Sequence, residues 1–466
     1  MTDSANKPVL VLGLGETGLS LVRWLSAQGA QIRAADSRDH PPALDILRTQ
    51  FPQVELRCGV FRSELLEGIG LIAISPGLSL RDPLLMCAAE LGIPIMGDIE
   101  LFVRTLPHSQ RPKLIAITGS NGKTTVTSMV GSMCRAAGLD TEVAGNISPA
   151  VLEVVMQRQG RQPDVWVLEL SSFQLETTAT LSADAATVLN ISEDHLDRYP
   201  DMGQYAAAKA RIFRGGGERG VQVLNRDDVN SASMALRGRM HITFGLNTPP
   251  PTDNDWGIER ELENIWLVQG KTRVLNAVEL QATGLHNVAN ALAALALCRA
   301  VGLPLTPLLK GLRSFKGLPH RVEAVAEING VIYYDDSKGT NVGATAAALQ
   351  GLGRPAVLIA GGDGKGQNFS PLYAVVAQHA RAVVLIGRDA DKIAAVLQNC
   401  GAPVERAPDM AAAVRLAATL AQSGDAVLLS PACASFDMFR NYEHRAEVFI
   451  AEVHMLQKEV ACATQP

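Results

Sequence analysis

The sequence predicts an α/β protein of three domains: a Rossmann-like N-terminal sheet, a central phosphate-loop sheet (parallel or mixed), and a doubly wound Rossmann-like C-terminal sheet. Three observations predict it. The chain has 466 residues, enough for about three domains at ~150 residues each. Near-continuous apolar runs at 9–12, 114–117, 356–360 and 426–429 alternate with helical stretches, the pattern of parallel strands covered on both faces. Two glycine-rich turns, at 13–18 and 119–122, each follow such a run and open a helical pattern. In that geometry backbone N–H groups and a helix N-terminus meet phosphate. Polar, Pro-containing stretches at 107–112 and 313–321 set expected domains of 1–105, 106–317 and 318–466.

Composition excludes several classes. The net charge is -5, with 47% apolar and 19% charged residues, which suits a soluble globular protein and argues against a nucleic-acid surface. The seven cysteines form no C-x-x-C pair, so a zinc site is not expected, and free thiols fit a reducing cytoplasm. Residues 1–8 hold no apolar signal core and no run of 18 apolar residues occurs, so neither a leader nor membrane insertion is expected.

The first run, Val9-Leu10-Val11-Leu12, leads into Gly13-Leu14-Gly15-Glu16-Thr17-Gly18, and a second strand ends at Asp36. This is a dinucleotide fingerprint, which serves NAD or any other nucleotide on a Rossmann-like sheet. A third strand ends at Ser75-Pro76-Gly77, on the sheet edge where ligands bind. In the second glycine-rich turn, Thr118-Gly119-Ser120-Asn121-Gly122-Lys123-Thr124-Thr125, Lys123 would reach terminal phosphates and the Thr124 hydroxyl would ligate Mg²⁺. Ile117 stands where the usual loop has Gly. Glu169, ending the strand at 165–169, is a further candidate for Mg²⁺ or else a solvated strand-end carboxylate. His195 follows the strand at 186–190, among carboxylates. By spacing alone, Lys209 is an ordinary helix-surface lysine. An Ala/Leu-rich helix from 284 to about 301 is apolar nearly all round and is expected to be buried. In the last domain strands run into Asp335-Asp336-Ser337-Lys338, Gly361-Gly362-Asp363-Gly364-Lys365 and Ser430-Pro431-Ala432-Cys433-Ala434-Ser435. On these residues a phosphate-loop enzyme, a switch ATPase and an NAD-dependent dehydrogenase all stay open.

Taken in order across the chain, these motifs, together with Gly145-Asn146-Ile147, His286-Asn287-Val288-Ala289-Asn290 and Leu318-Pro319-His320-Arg321, resemble the Mur ligases. These are the ATP-dependent amino-acid ligases of peptidoglycan precursor synthesis, and the likeness is strongest to the branch that adds D-glutamate. The family's phosphate loop has the same shortened form. The resemblance implies a pocket for a UDP substrate, UDP-N-acetylmuramoyl-L-alanine, at Gly15, Glu16, Thr17, Asp36, Ser37, Arg38, Ser75, Pro76 and Gly77. It implies ATP and two Mg²⁺ ions held by Gly119, Asn121, Gly122, Lys123, Thr124, Thr125, Asn287, Asn290, Arg321, Asp336 and Lys338. The metal ligands would be Thr124, Glu169, His195 and Lys209, the last as a CO₂-derived carbamate; Lys123, His195 and Lys209 would be the catalytic set. Asn146 would face the acceptor carboxylate, and Thr340, Lys365, Ser435, Phe436 and Tyr442 would take D-glutamate. A cytoplasmic monomer is implied, with no nucleic-acid or membrane partner.

Overall fold

The computed structural model describes residues 7–107, 109, 111–215, 220–247, 250–282 and 284–463. The leader-free stretch expected at 1–8 lies mostly outside them, as do His108 and Gln110 of the expected linker. Among the described residues three sheets follow one another along the chain. The first is five-stranded and wholly parallel, in the order Glu55–Cys58, Ile32–Asp36, Val9–Leu12, Leu71–Ile74, Ile95–Gly97. Chain order reverses on either side of Val9–Leu12, so the turns after Val9–Leu12 and Leu71–Ile74 flank the crevice where such sheets bind ligands. Gly18 is needed there, because a Cβ on it would lie 1.8 Å from the carbonyl oxygen of Gly13.

The central sheet has nine strands. Its parallel part sets Lys113–Thr118 between Ala185–Val188 and Val165–Glu169, with Thr141–Gly145 at the edge. On the other side Trp256–Glu261, Asn264–Gln269 and Thr272–Asn276 form an antiparallel meander. The central parallel strands are largely apolar because helices cover both faces: Lys123–Ala136 and Leu285–Ala300 on one side, Val151–Gln157 and neighbours on the other. Full burial of each Leu or Val there contributes about 1.5–3 kcal/mol. The third sheet orders Glu323–Ile328, Val331–Asp335, Ala426–Leu429, Ala356–Gly361, Ala380–Ile386, Val404–Arg406. It is parallel except for its first strand, with one core on each face.

One hydrophobic core runs continuously from the first sheet into the second. Leu21, Val22 and Leu25 share it with Leu152, Val154 and Trp166, and the Phe102 ring meets Trp166 edge-on at 4.8 Å. Helix Asp98–Thr105, which ends the first unit, reaches across: Glu100 Oε2 accepts the N–H groups of Ala179 (2.8 Å) and Thr180 (2.9 Å).

Candidate active site

In the phosphate loop, Gly122 is left-handed (φ 82), and a Cβ there would sit 2.6 Å from Asn290 Oδ1. Glycine therefore lets the loop close against the helix Leu285–Ala300. Lys123 Nζ donates to the carbonyls of Gly119 and Ser120, both at 2.9 Å. Ile117 is a fully buried strand residue, so the shortened loop begins only after Thr118 and is ordered by the neighbouring strand end. Asn190 accepts the Asn121 N–H on Oδ1 (2.8 Å), donates Nδ2 to the Asn121 carbonyl (3.1 Å), and accepts the Ser120 N–H on its own carbonyl (2.9 Å). Ser120 Oγ accepts the Ser192 N–H at 3.0 Å.

Glu169 is not a solvated strand end: it is 2% exposed. Register places it beside Ile117 on one side and Gly145 on the other. Its Oε1 accepts Asn146 Nδ2 at 3.2 Å, and its buried Oε2 has no hydrogen-bond partner among the described residues. A buried carboxylate oxygen left unmatched is costly unless a cation completes it. Thr124 Oγ1 accepts Arg321 Nη2 at 3.0 Å, across to the third sheet's unit. His195, at φ 56, has its ring 4.8 Å from Phe173 and its Nε2 3.7 Å from Asp194.

Lys209 departs from its spacing-based reading as a surface lysine. It shares the inward face of helix Met202–Ala210 with Tyr205 and Ala208 and is 2% exposed. Its Nζ donates to the Gly119 carbonyl (2.9 Å) and Thr118 Oγ1 (3.4 Å), over the Tyr205 ring. Burial, then the charge of Lys123, pushes this amine well below the ordinary lysine range. Burial also lowers Lys123, opposed by Glu169 and Asp194. It lowers His195, which also feels Lys365, Lys209 and Lys123. Burial takes Lys338 down to about 8, with Arg321 adding to it, and raises Asp336 to about 7. The basic side chains of Lys123, Lys209, Arg321 and Lys338 thus gather with the acidic ones of Glu169, Asp194 and Asp336, a mixture that suits a polyphosphate and its metal.

A cavity of ≈ 760 Å³ opens between the central and third units. Asn121, Gly122, Thr125, Asn287, Asn290, Arg321, Asp336 and Lys338 line it, so most residues expected to hold the nucleotide converge. Asn341 Nδ2 bridges to Asn121 Oδ1 at 2.9 Å. The Lys338 ammonium lies 3.6 Å from the Tyr442 ring centroid. Elsewhere on the third sheet's edge, Asp363 pairs with Ala434 as an isolated bridge; this brings the loop of Lys365 beside that of Ser435. Ser435 is 3% exposed, whereas Phe436 is 72% exposed. Thr340 lies in the turn after Lys338, its N–H on the Lys338 carbonyl.

In the first sheet's crevice, a Cβ on Gly15 or Gly77 would meet nothing within 4 Å, so the approach between the turns of Gly15, Glu16 and Thr17 and of Ser75, Pro76 and Gly77 is open. Asp36 is buried and accepts the Leu14 N–H (2.7 Å) and the Arg38 backbone and guanidinium (2.7–2.9 Å). Burial works to raise its pKa, but the Arg38 and backbone hydrogen bonds prevail and lower it. Ser37 and Arg38 are exposed. Sequence reasoning missed Asn190, Ser192 and Asn341. The available signal was position: Asn190 and Ser192 fall just past a strand end.

A phosphate loop, an unmatched buried carboxylate and a cationic cleft shared with a second α/β unit define a nucleotide-triphosphate enzyme with its site assembled between domains. Family models match in three successive parts: "Mur ligase MurD-like, N-terminal domain" over residues 7–97, "Mur ligase middle domain" over 117–298, and "Mur ligase, glutamate ligase domain" over 320–433. The chain belongs to the Mur ligase family. It is 60% identical over 455 residues to the UDP-N-acetylmuramoylalanine–D-glutamate ligase of Nitrosospira multiformis, covering 97% of this chain and 96% of that one. It is 52% identical over 453 residues to the enzyme of that name from Chromobacterium violaceum, covering 97% and 98%. Solved structures share the fold at low identity. The UDP-N-acetylmuramate–alanine ligase of Thermotoga maritima has a TM-score of 0.59 at 18% identity, covering 96% of this chain and 99% of that one. A pseudomurein peptide ligase type C of Methanothermus fervidus has a TM-score of 0.58 at 19% identity, covering 96% and 100%.

Proposed function

We propose that this chain is an ADP-forming ligase that joins D-glutamate to the carboxylate of UDP-N-acetylmuramoyl-L-alanine in the cytoplasm, acting as a monomer. Full-length identity of 52–60% to enzymes of that name carries the reading. We divide the chain into domains 1–105 for the UDP substrate, 106–317 for ATP and Mg²⁺, and 318–466 for D-glutamate and part of the nucleotide. The open crevice at Gly15, Thr17, Ser75 and Gly77 supports the first role. Arg38 is the partner of Asp36 that a uracil could displace, since it is the exposed member of the pair.

The acceptor carboxylate attacks the γ-phosphate of ATP, giving an acyl phosphate and ADP. The D-glutamate amine then attacks the acyl carbon, and phosphate leaves as the amide forms. Gly119, Asn121, Gly122 and Thr125 cradle the phosphates, while Lys123 and Arg321 neutralise charge as the phosphoryl group moves. Asn287, Asn290, Asp336 and Lys338 place the adenine nucleotide in the cavity. The donor set fits Mg²⁺: Thr124 Oγ1, the unmatched Glu169 Oε2, His195, and Lys209 if carbamylated. When bound, Mg²⁺ polarises phosphoryl oxygens and offsets their charge. Asn146, held on Glu169, orients the acceptor. Carbamylation is supported by the buried amine, because the neutral form adds CO₂ and releases one proton to give an anion. Lys365 and Ser435 bind the D-glutamate side-chain carboxylate, with Thr340, Phe436 and Tyr442 around it.

Phosphate release from ATP with UDP-N-acetylmuramoyl-L-alanine, across a panel of amino acids, tests the reading. Release should require both the acceptor and D-glutamate. Preference for another amino acid, or equal release without acceptor, would refute it.

A further inference from the structure

Arg445 sits one turn into the last helix, Tyr442–Ala463, and is 1% exposed. A buried guanidinium is expensive unless its donors are matched, and ordinarily a carboxylate matches it. Among the described residues no carboxylate hydrogen-bonds it: Asp437, Asp335 and Asp336 act on it through charge alone, and its hydrogen bonds go to uncharged groups. Nε donates to Ser337 Oγ (3.0 Å), Nη2 to the Ser337 carbonyl (2.8 Å) and Nη1 to the Cys433 carbonyl (3.1 Å). Burial lowers its pKa to about 10, so it stays charged at neutral pH.

Its partners belong to two different loops. Ser337 lies between Asp336 and Lys338, in the turn after Val331–Asp335, and donates its own hydroxyl to the Tyr442 carbonyl (2.8 Å). Cys433 precedes Ala434, which pairs with Asp363, and stands two residues before Ser435. One side chain therefore ties the nucleotide loop, the amino-acid loop and the helix bearing Tyr442 into a single frame. Retaining a buried charge whose hydrogen bonds all go to uncharged acceptors is poor economy for stability alone, since an apolar residue of similar volume often does as well. A planar fork that reaches two loops at fixed angles is a device for geometry.

We propose that Arg445 is a positioning residue that sets the nucleotide loop (Asp336 to Lys338) and the amino-acid loop (Cys433 to Ser435) in a common register, so that ATP and the incoming amino acid are held as one unit. This rests on the site assignment above. It differs from a purely structural staple in what it predicts for binding.

The test is steady-state kinetics of full-length Arg445→Lys and Arg445→Met, varying ATP, D-glutamate and UDP-N-acetylmuramoyl-L-alanine in turn. Michaelis constants do not depend on the folded fraction, so loss of stability does not imitate the effect. The KM values for ATP and D-glutamate should rise together, by roughly 10-fold or more, as expected when charge-assisted hydrogen bonds are lost; that for the UDP substrate should hold within about twofold. The Lys variant should recover part of both losses relative to Met. Lys338→Ala should affect mainly ATP, and Lys365→Ala mainly D-glutamate. If those controls do not separate, the site assignment is wrong. If they separate while the Arg445 variants move neither constant, or only one, Arg445 is a staple and the proposal is overturned. Should neither Arg445 variant fold, Ser337→Ala removes one of the three acceptors and must show the same joint rise, smaller in size; its absence overturns the proposal equally.

Discussion

Lys209 offers the sharpest test of the metal site. Its Nζ is buried against the Gly119 carbonyl and Thr118 Oγ1, has no carboxylate in ion-pair contact among the described residues, and lies in the field of Lys123. As an ammonium it would add a second cation where Mg²⁺ is needed; as a carbamate it replaces that cation with an anion. Lys209→Ala removes the anion altogether. The loss of one preorganised electrostatic group costs roughly 10²–10³ in turnover, and the proposed carbamate would also be a metal ligand, so the upper end is expected. Millimolar acetate or formate should restore part of the rate in the variant. Labelling the parent enzyme with ¹³C-bicarbonate should give one slow-exchanging carbamate resonance that Lys209→Ala lacks. The sign of the pH effect follows from linkage. The native amine titrates below the unfolded one, so between those two values the unfolded chain binds more protons, and stability of the unmodified enzyme rises with pH. Near-normal turnover in Lys209→Ala, or a fully active parent with no carbamate resonance, would refute the reasoning.

Lys123→Ala should reduce phosphate release by at least roughly 10²–10³, measured at saturating substrates; a near-normal rate would remove the phosphate loop from the chemistry. Lys365 carries a charge on the loop beside Ser435, so Lys365→Ala should raise the KM for D-glutamate by roughly 10–150-fold, with far less change for ATP; equal losses would misplace the amino-acid pocket. Asp336 has a native pKa raised to about 7. Between the ordinary carboxylate value and that pKa the native state binds the extra proton, so stability falls as pH rises through this window, with a slope of up to about 1.4 kcal/mol per pH unit. Asp336→Asn should flatten the ligand-free melting profile there, and an unchanged profile would contradict the buried acid. A UDP-sugar should protect the N-terminal unit in hydrogen exchange while NAD does not; the reverse would restore the dinucleotide reading of Gly13 to Gly18.

Strands buried on both faces were legible because each is an unbroken apolar run, as at Val165–Glu169 and Ala356–Gly361. The antiparallel meander was not: Trp256–Glu261 is buried for half its length and charged for the rest, too short an alternation to stand out. The edge strand Glu55–Cys58 has no buried residue and leaves no apolar trace. Lys209 misled by spacing because alanines surround it at 206–208 and 210, and alanine marks neither face. Asn190 and Arg445 act on backbone groups of loops distant in sequence, and no residue spacing records which carbonyl a side chain will meet. At Lys209, Lys365 and Ser435 spacing suggests no role, and the roles proposed for them rest on the resemblance to a family.

The two seams of this molecule are made of different materials. Between the first and second sheets lies oil, with Trp166 and Phe102 at its middle, and separating those surfaces would wet a continuous core. Between the second and third the side-chain bonds are polar: Arg321 to Thr124, Asn341 to Asn121, and Glu193 to the Asn368 N–H. Water can take over each of these, at a net cost of about 0.5–1.5 kcal/mol for the amide pair and about 1.5–3 kcal/mol for each bond with a charged partner. The protein is therefore a heavy anvil and a light hammer. On the proposed assignment the UDP substrate rests on the anvil, the amino acid on the hammer and ATP between them, so a stroke and a recoil would accompany each turnover. If recoil sets the pace, a thicker solvent will slow this enzyme even though no bond in its chemistry is changed.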